Sequence, residues 1–303
     1  MKKYLIKIVF LFLIIIVIDI VSGKVFGYML EHAKGGDNGR NNFIMNQVND
    51  EILVFGSSRA VHHYHPTIIS DSLGMSCYNC GQDGMGVIVS YARYQTICKR
   101  YHPKMVIYDI MPGFDLLKDD NHKYLKWLRA YYDYDGIANV FETIDNTEKY
   151  KMISQMYRYN TNFGQLVIEN IHPVQPPNIK GFKPKDEVMD TMKVSKKNIV
   201  AAKEAPVYDS LKISYLRKMV EESKDTRIIF AMSPCWAGND TTVLRPIKQI
   251  CAEYNIPFVD FSNAPKFVHN NDYFSDGGHL NVKGAEEFTK DFMQQLKTEG
   301  LLE

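Results

Sequence analysis

The side chains that could do chemistry gather near the two ends of this 303-residue sequence. Near the start, the apolar run Leu53-Val54-Phe55 ends in Gly56-Ser57-Ser58-Arg59. Two small hydroxyls therefore sit at the end of a buried strand, where open α/β sheets place their chemistry. A serine hydroxyl is a poor nucleophile until a base takes its proton. Near the other end, Asp276-Gly277-Gly278-His279-Leu280-Asn281 offers such a base. His279 sits in a glycine-rich turn, and in a tight turn Asp276 can fold back to fix the tautomer of the imidazole. Nucleophile, base and orienting carboxylate are the three roles of acyl transfer through serine. Taken singly, each piece also reads as an ordinary turn, and the combination is what points to chemistry. Acyl transfer further needs N–H donors for a developing oxyanion. The backbone N–H groups of Ser58 and Gly84 are the candidates, the latter because a glycine lets substrate approach the main chain.

Positioning these groups requires strands that end along one edge. Glu51 to Phe55 reads as a strand buried on both faces. Ser76 to Asn79 is a shorter strand that leads into the glycine-rich stretch Cys80 to Gly86, and Lys104 to Ile110 is a third strand. Helices are expected at Pro66 to Leu73 and Val87 to Arg100. From Phe114 to about Pro206 the pattern loosens. That stretch reads as a long insertion of helices and loops over the carboxyl edge of the sheet, where it would shape substrate access; a packing decoration is the other reading. Alternation then resumes, with helices at Ser210 to Ser223, Val243 to Tyr254 and Val282 to Leu296 and strands at Arg227 to Met232 and Phe258 to Phe261. Ala285, Phe288, Phe292 and Leu296 form one apolar stripe on the last helix, and Asn281 is placed to cap it. This alternation predicts an α/β fold with a parallel sheet covered on both faces.

The motifs resemble those of the SGNH (GDSL-like) hydrolase family over roughly Glu51 to Leu296, within a domain of 49–303. Gly56-Ser57-Ser58 is similar to the first block, with Ser57 where an Asp is usual, and this selects Ser58 as nucleophile. Asn79-x-Gly81-x-x-Gly84 is similar to the second block and its oxyanion glycine, and Asp276-x-x-His279 to the fifth, which supplies acid and base. The resemblance implies a three-layer α/β/α sandwich around a five-stranded, flavodoxin-like parallel sheet. It implies ester hydrolysis or acyl transfer through an acyl-serine, with no metal or organic cofactor. One block departs from the family. After the third strand the family carries Gly-x-Asn-Asp, whose Asn donates to the oxyanion; here the stretch is Asp109-Ile110-Met111-Pro112-Gly113-Phe114-Asp115. Divergent membrane-anchored members that modify envelope polysaccharides also lose parts of the pattern, and this chain looks more like those.

Other residues have two readings each. Arg59 suits an anionic substrate or a carboxylate beneath the helix start, and Asn79 and Ser233 are candidate pocket residues beside it. His62-His63-Tyr64-His65 suits a pocket rim or a solvent face better than a metal. Cys77 and Cys80 form a CxxC, but an offset of three along a strand aims the two side chains at opposite faces, and five scattered cysteines make no disulfide scaffold. The formal charge of +1 leaves no electrostatic footprint for nucleic acid.

Leu5 to Val21 is apolar apart from Lys7 and Asp19. Residues 1–23 therefore read as a transmembrane signal anchor, about the 20 residues that cross a bilayer. Lys2, Lys3 and Lys7 favour a cytoplasmic N-terminus and an exported remainder; a cleaved signal peptide is the rival. Residues 24–48, with Lys34 to Asn42 polar and rich in Gly and Asn, read as a linker. The resulting expectation is a single-pass, extracytoplasmic serine esterase or O-acyltransferase acting on acyl, above all acetyl, esters of envelope or glycan substrates. A catalytically weak domain that binds glycan or an envelope assembly partner is the alternative.

Overall fold

The computed structural model describes residues 1–134, 136–173, 178–190 and 205–302. In chain order, α1 (Lys2–Glu31) and α2 (Gly36–Asn46) precede β1 (Ile52–Gly56), α3 (Ser58–His63), α4 (Pro66–Leu73), β2 (Cys77–Asn79), α5 (Val87–Cys98) and β3 (Met105–Asp109). A helical stretch follows, with α6 (Pro112–Asp115), α7 (His122–Leu128), α8 (Ile137–Ile144), α9 (Glu148–Lys151), α10 (Gln155–Tyr159) and α11 (Phe163–Ile171). The chain closes with α12 (Ser210–Glu221), β4 (Arg227–Met232), α13 (Arg245–Tyr254), β5 (Phe258–Asp260), β6 (Phe274–Asp276), β7 (His279–Leu280) and α14 (Val282–Thr298). The chain divides into two compact units, one of residues 1–47 and 121–175 and the other of 48–120 and 176–303.

The second unit is an α/β/α sandwich on a parallel sheet of order β2-β1-β3-β4-β5. This is the flavodoxin-like doubly wound order, whose switch point lies between β1 and β3. Both strands are buried along their whole length, which is why they read as unbroken apolar runs rather than alternating ones. One face carries Ile52, Val54, Ile107 and Ile229 into a core with Phe288, Phe292 and Leu296 of α14. On the other, Phe55 meets Tyr94 edge-on at 6.2 Å, and α5 packs on α12 through Tyr91 and Tyr215, 4.9 Å apart. Asn281 caps α14 by accepting from the Gly284 N–H at 2.9 Å. The short antiparallel pair β6–β7, absent from the sequence reading, sits directly before α14.

The first unit departs from the sequence reading. Helix α1 runs past Gly23 to Glu31 as one element. Lys34 to Asn42, expected as linker, lies largely within α2, whose Asn38, Arg40, Asn41 and Asn42 are buried. The cause is distant in sequence: Glu169 accepts the Asp37 N–H at 3.0 Å, the Asn38 N–H at 3.1 Å and the Asn38 side-chain amide at 2.6 Å. A carboxylate from α11 thus satisfies the orphan donors at the start of α2. In the looser stretch from Phe114, helices α6–α11 are present, while 174–177 and 191–204 lie outside the described residues.

Candidate active site

Strand β1 delivers its last residue into a sharp turn. Gly56 has φ +136°, and a Cβ there would lie 2.6 Å from the Asp109 carbonyl oxygen on the neighbouring strand. Only glycine fits such a position. The chain then enters α3 with Ser58 as its first residue, on the carboxyl side of the switch point. Ser57 is fully buried, with its hydroxyl on Met111 Sδ at 3.0 Å. Of the two hydroxyls, Ser58 is the one that meets an imidazole.

His279 Nε2 lies 2.8 Å from Ser58 Oγ, and His279 Nδ1 lies 2.9 and 3.0 Å from the two oxygens of Asp276. Hairpin β6–β7 makes this possible by pairing Asp276 with His279 across its strands. Asp276 Oδ1 also accepts the Gly278 and His279 N–H groups at 2.8 and 3.0 Å, so the carboxylate holds its own turn closed. Burial opposes ionisation of Asp276. The His279 hydrogen bond, the Gly278 N–H and the charge of Lys185, 3.6 Å away, outweigh it and hold the carboxyl far below its ordinary range. An ionised carboxylate accepts only, so the proton of the neutral imidazole belongs on Nδ1 and Nε2 is left to accept from Ser58.

The glycine-rich loop is stapled to the end of β1. Cys80 N–H donates to the Val54 carbonyl at 2.7 Å and Gln82 N–H to the Gly56 carbonyl at 3.0 Å. Gly84 has φ +70°, is exposed, and has nothing within 4 Å of where a Cβ would stand. Among the described residues, neither the Ser58 N–H nor the Gly84 N–H donates to another group of the protein. The stretch after β3 supplies no Asn; Met111 stands there against Ser57.

No protein-family model and no curated protein matches the chain. Three solved structures are similar to it in layout. A proposed acylhydrolase from Bacteroides fragilis has 15% identity and a TM-score of 0.41, over 82% of this chain and 87% of that one. A proposed GDSL-like lipase from Parabacteroides merdae has 12% identity and a TM-score of 0.39, over 83% and 97%. An acetyl xylan esterase from the rumen bacterium Butyrivibrio proteoclasticus has 8% identity and a TM-score of 0.36, over 82% and 63%. Likeness at this level describes layout; what the chain can do follows from its own side chains. The doubly wound sheet places Ser58 after β1, the glycine loop after β2, and Asp276 and His279 before the last helix. The fold is a flavodoxin-like α/β/α sandwich.

Around this centre, the expected pocket residues prove to be supports. Arg59, Asn79 and Ser233 are all buried. Asn79 donates to the Ala60 and Tyr64 carbonyls at 2.7 and 3.1 Å and accepts the Gly81 N–H at 3.0 Å, tying the end of α3 to the glycine loop. Arg59 lies 3.6 Å from Asp109 and donates to the Ile110 carbonyl at 2.6 Å, so the carboxylate-pairing reading holds. Asp109 accepts the Ser233 N–H at 2.7 Å and the Tyr64 hydroxyl at 2.9 Å.

The histidine cluster does not face solvent. His63 Nε2 accepts the Leu280 N–H at 3.0 Å, and its Nδ1 lies 2.8 Å from Ser233 Oγ, which lies 3.2 Å from Asp109. Burial, reinforced by the charge of Arg59, keeps His63 neutral by pulling its pKa well down. A buried chain of hydrogen bonds therefore runs from β7 to the Arg59–Asp109 pair. His62 places Nδ1 at 2.6 Å from the Lys183 carbonyl and Nε2 at 3.0 Å from Asp83, and its ring is 5.3 Å from that of His279. Burial works against Asp83, yet the His62 hydrogen bond and Lys183 hold its carboxyl down at about 2. Sequence reasoning missed Asp83, Lys183, Lys185 and the role of His63. The run His62-His63 was the available signal, since adjacent helix positions must face different partners.

Proposed function

We propose that the protein is a membrane-anchored serine esterase or O-acyltransferase of SGNH type, acting outside the cytoplasm on acyl esters of glycan or other envelope substrates. The reading rests on one observation, the continuous Ser58–His279–Asp276 hydrogen-bond path at 2.8 and 2.9 Å. Along it, the Ser58 proton passes to His279 Nε2 as Oγ attacks the ester carbonyl, while Asp276 retains the Nδ1 proton and balances the imidazolium. The Ser58 and Gly84 N–H groups receive the oxyanion. Collapse expels the alcohol, which takes the proton from His279, and leaves an acyl-Ser58. Water or an acceptor hydroxyl, deprotonated by the same imidazole, then removes the acyl group. No residue of this path requires a metal or an organic cofactor.

The anchor part of the reading is supported by α1, which is long and apolar enough to cross a membrane. Helix α1 continues without a break through Gly23, and its Gly23 and Leu30 are buried in the first unit. Signal cleavage near Gly23 would strip a packed element from that unit, which favours retention. The alternative, a domain that binds glycan with little turnover, draws on Met111 standing where the family keeps its third oxyanion donor.

A fluorophosphonate probe tests the enzyme reading. The parent chain is expected to be labelled and Ser58→Ala is not; equal labelling of the two overturns it.

A further inference from the structure

The strongest feature outside the active site is the way the apolar helix is gripped. Along α1, Asp19, Ser22, Gly23, Phe26, Gly27, Met29 and Leu30 are covered to some degree, while Ile18, Ile20, Val21, Lys24 and Val25 are exposed. The covered residues form one stripe at helical spacing. Asp19 accepts the Ser154 hydroxyl at 2.7 Å, the Gln155 N–H at 2.8 Å and the Met156 N–H at 2.9 Å. A Cβ on Gly23 would stand 2.5 Å from Gln155 Cβ, and one on Gly27 3.4 Å from the Tyr159 hydroxyl. Phe26 touches the rings of Tyr159 and Phe163 at 5.6 and 6.2 Å. Small residues four apart let α10 approach α1 closely, as in helix pairs within bilayers.

The position of Asp19 along α1 sets a depth. From Tyr4 to Asp19 the helix rises about 22 Å, against a hydrocarbon thickness of about 30 Å. With the lysines of the first turns at the inner surface, Asp19 lies within the outer leaflet, and so do the groups bonded to it. Three large apolar side chains stand out beside those groups: Ile153 is 74% exposed, Met156 50% and Phe163 52%. A carboxylate at that depth is costly unless donors satisfy it, and here three do.

We propose that the turn Ile153–Ser154 and the start of α10 are immersed in the outer leaflet beside α1, with Ile153 and Met156 in contact with acyl chains and Tyr150, 67% exposed and next to Lys149 and Lys151, at headgroup level. The lipid bilayer is the partner of this surface. The first unit thereby sits in the membrane rather than standing off it on a stalk. This rests on α1 being a retained span, and the test separates the two claims.

The full chain, reconstituted in phosphatidylcholine–phosphatidylglycerol vesicles, would carry an environment-sensitive fluorophore at Ile153→Cys or Met156→Cys. Phe12→Cys serves as a control within the span. Quenching by nitroxides on the lipid acyl chains is expected at 153 and 156 as it is at 12. Quenching at 12 with none at 153 and 156 overturns the proposal and leaves the span standing. No quenching at 12 overturns both.

Discussion

Asp276 carries two loads at once. Its Oδ1 closes the β6–β7 turn through the Gly278 and His279 N–H groups, and both oxygens face His279 Nδ1. Asp276→Asn can keep the turn by presenting its carbonyl oxygen to the backbone, but it removes the charge that balances the imidazolium and invites the wrong tautomer. Turnover of an aryl acetate should fall roughly 10³–10⁴-fold with KM nearly unchanged, the signature of an interaction made in the transition state. Gly84 makes a separate demand. At φ +70° an alanine costs about 1–2 kcal/mol of local strain, yet it meets no neighbour. Under the proposed acyl transfer, Gly84→Ala should fold with Ser58 and His279 in place, while turnover drops about 10²-fold because the N–H is turned from the proposed oxyanion position. Steady-state kinetics beside a melting curve checks both variants.

At the scale of elements, Asp115 is the buried group that ties α6 to α5. It accepts the Val87 and Met111 N–H groups and the Tyr108 hydroxyl, all at 2.7–2.8 Å. Burial nevertheless raises its pKa to about 6, with the Asp109 charge adding to the push. The folded carboxyl thus binds a proton more readily than the unfolded one, whose value is near 3.8. Between about pH 6 and pH 4 the native state holds protons that the unfolded state lacks, so this group adds stability as pH falls, by up to about 3 kcal/mol. Asp83, held down at about 2, works in the opposite sense at lower pH. In Asp115→Asn the acid-side gain should vanish, and the gap between parent and variant in denaturant midpoint should widen from pH 6 to pH 4; a constant gap refutes it. The elements themselves were largely legible. Strands β1, β3 and β4 announce themselves as unbroken apolar runs because both faces are covered, and α14 shows its stripe. Ser58, His279 and Asp276 could be picked out because Gly56 stands just before the one and Gly277-Gly278 between the other two. Hairpin β6–β7 was not, since five residues give no period. Nor was α2, because its start is satisfied by Glu169 of α11 and not by its own sequence. Asn79 and Ser233 show a third limit: a polar residue at a strand end reads alike whether it faces a pocket or a buried carbonyl.

At the scale of the whole chain, the proposed anchor reading asks α1 to satisfy two environments. A segment that only crossed a bilayer would gain from losing its one internal acid, because Asp at depth is unfavourable and Leu is favourable. In this chain Asp19 is also the acceptor for Ser154, Gln155 and Met156, and Gly23 leaves the room that Gln155 fills. Asp19→Leu sets these demands against each other. Insertion should remain complete, so the variant stays in the membrane fraction after alkaline extraction. Locally, three donors lose a charged acceptor, and hydrogen bonds to charged groups are worth about 1.5–3 kcal/mol each. A net loss of about 2 kcal/mol raises opening of the α9–α10 turn roughly thirtyfold. Trypsin should then cut after Lys151, on the headgroup side of the turn, at a rate raised by about that factor, since cleavage of a rapidly reclosing segment follows its open population. Unchanged proteolysis with intact insertion would mean that Asp19 is a tolerated polar residue and that α10 holds to α1 through Gly23, Phe26 and Gly27. Faster proteolysis with intact insertion makes the span a structural member of the unit it anchors.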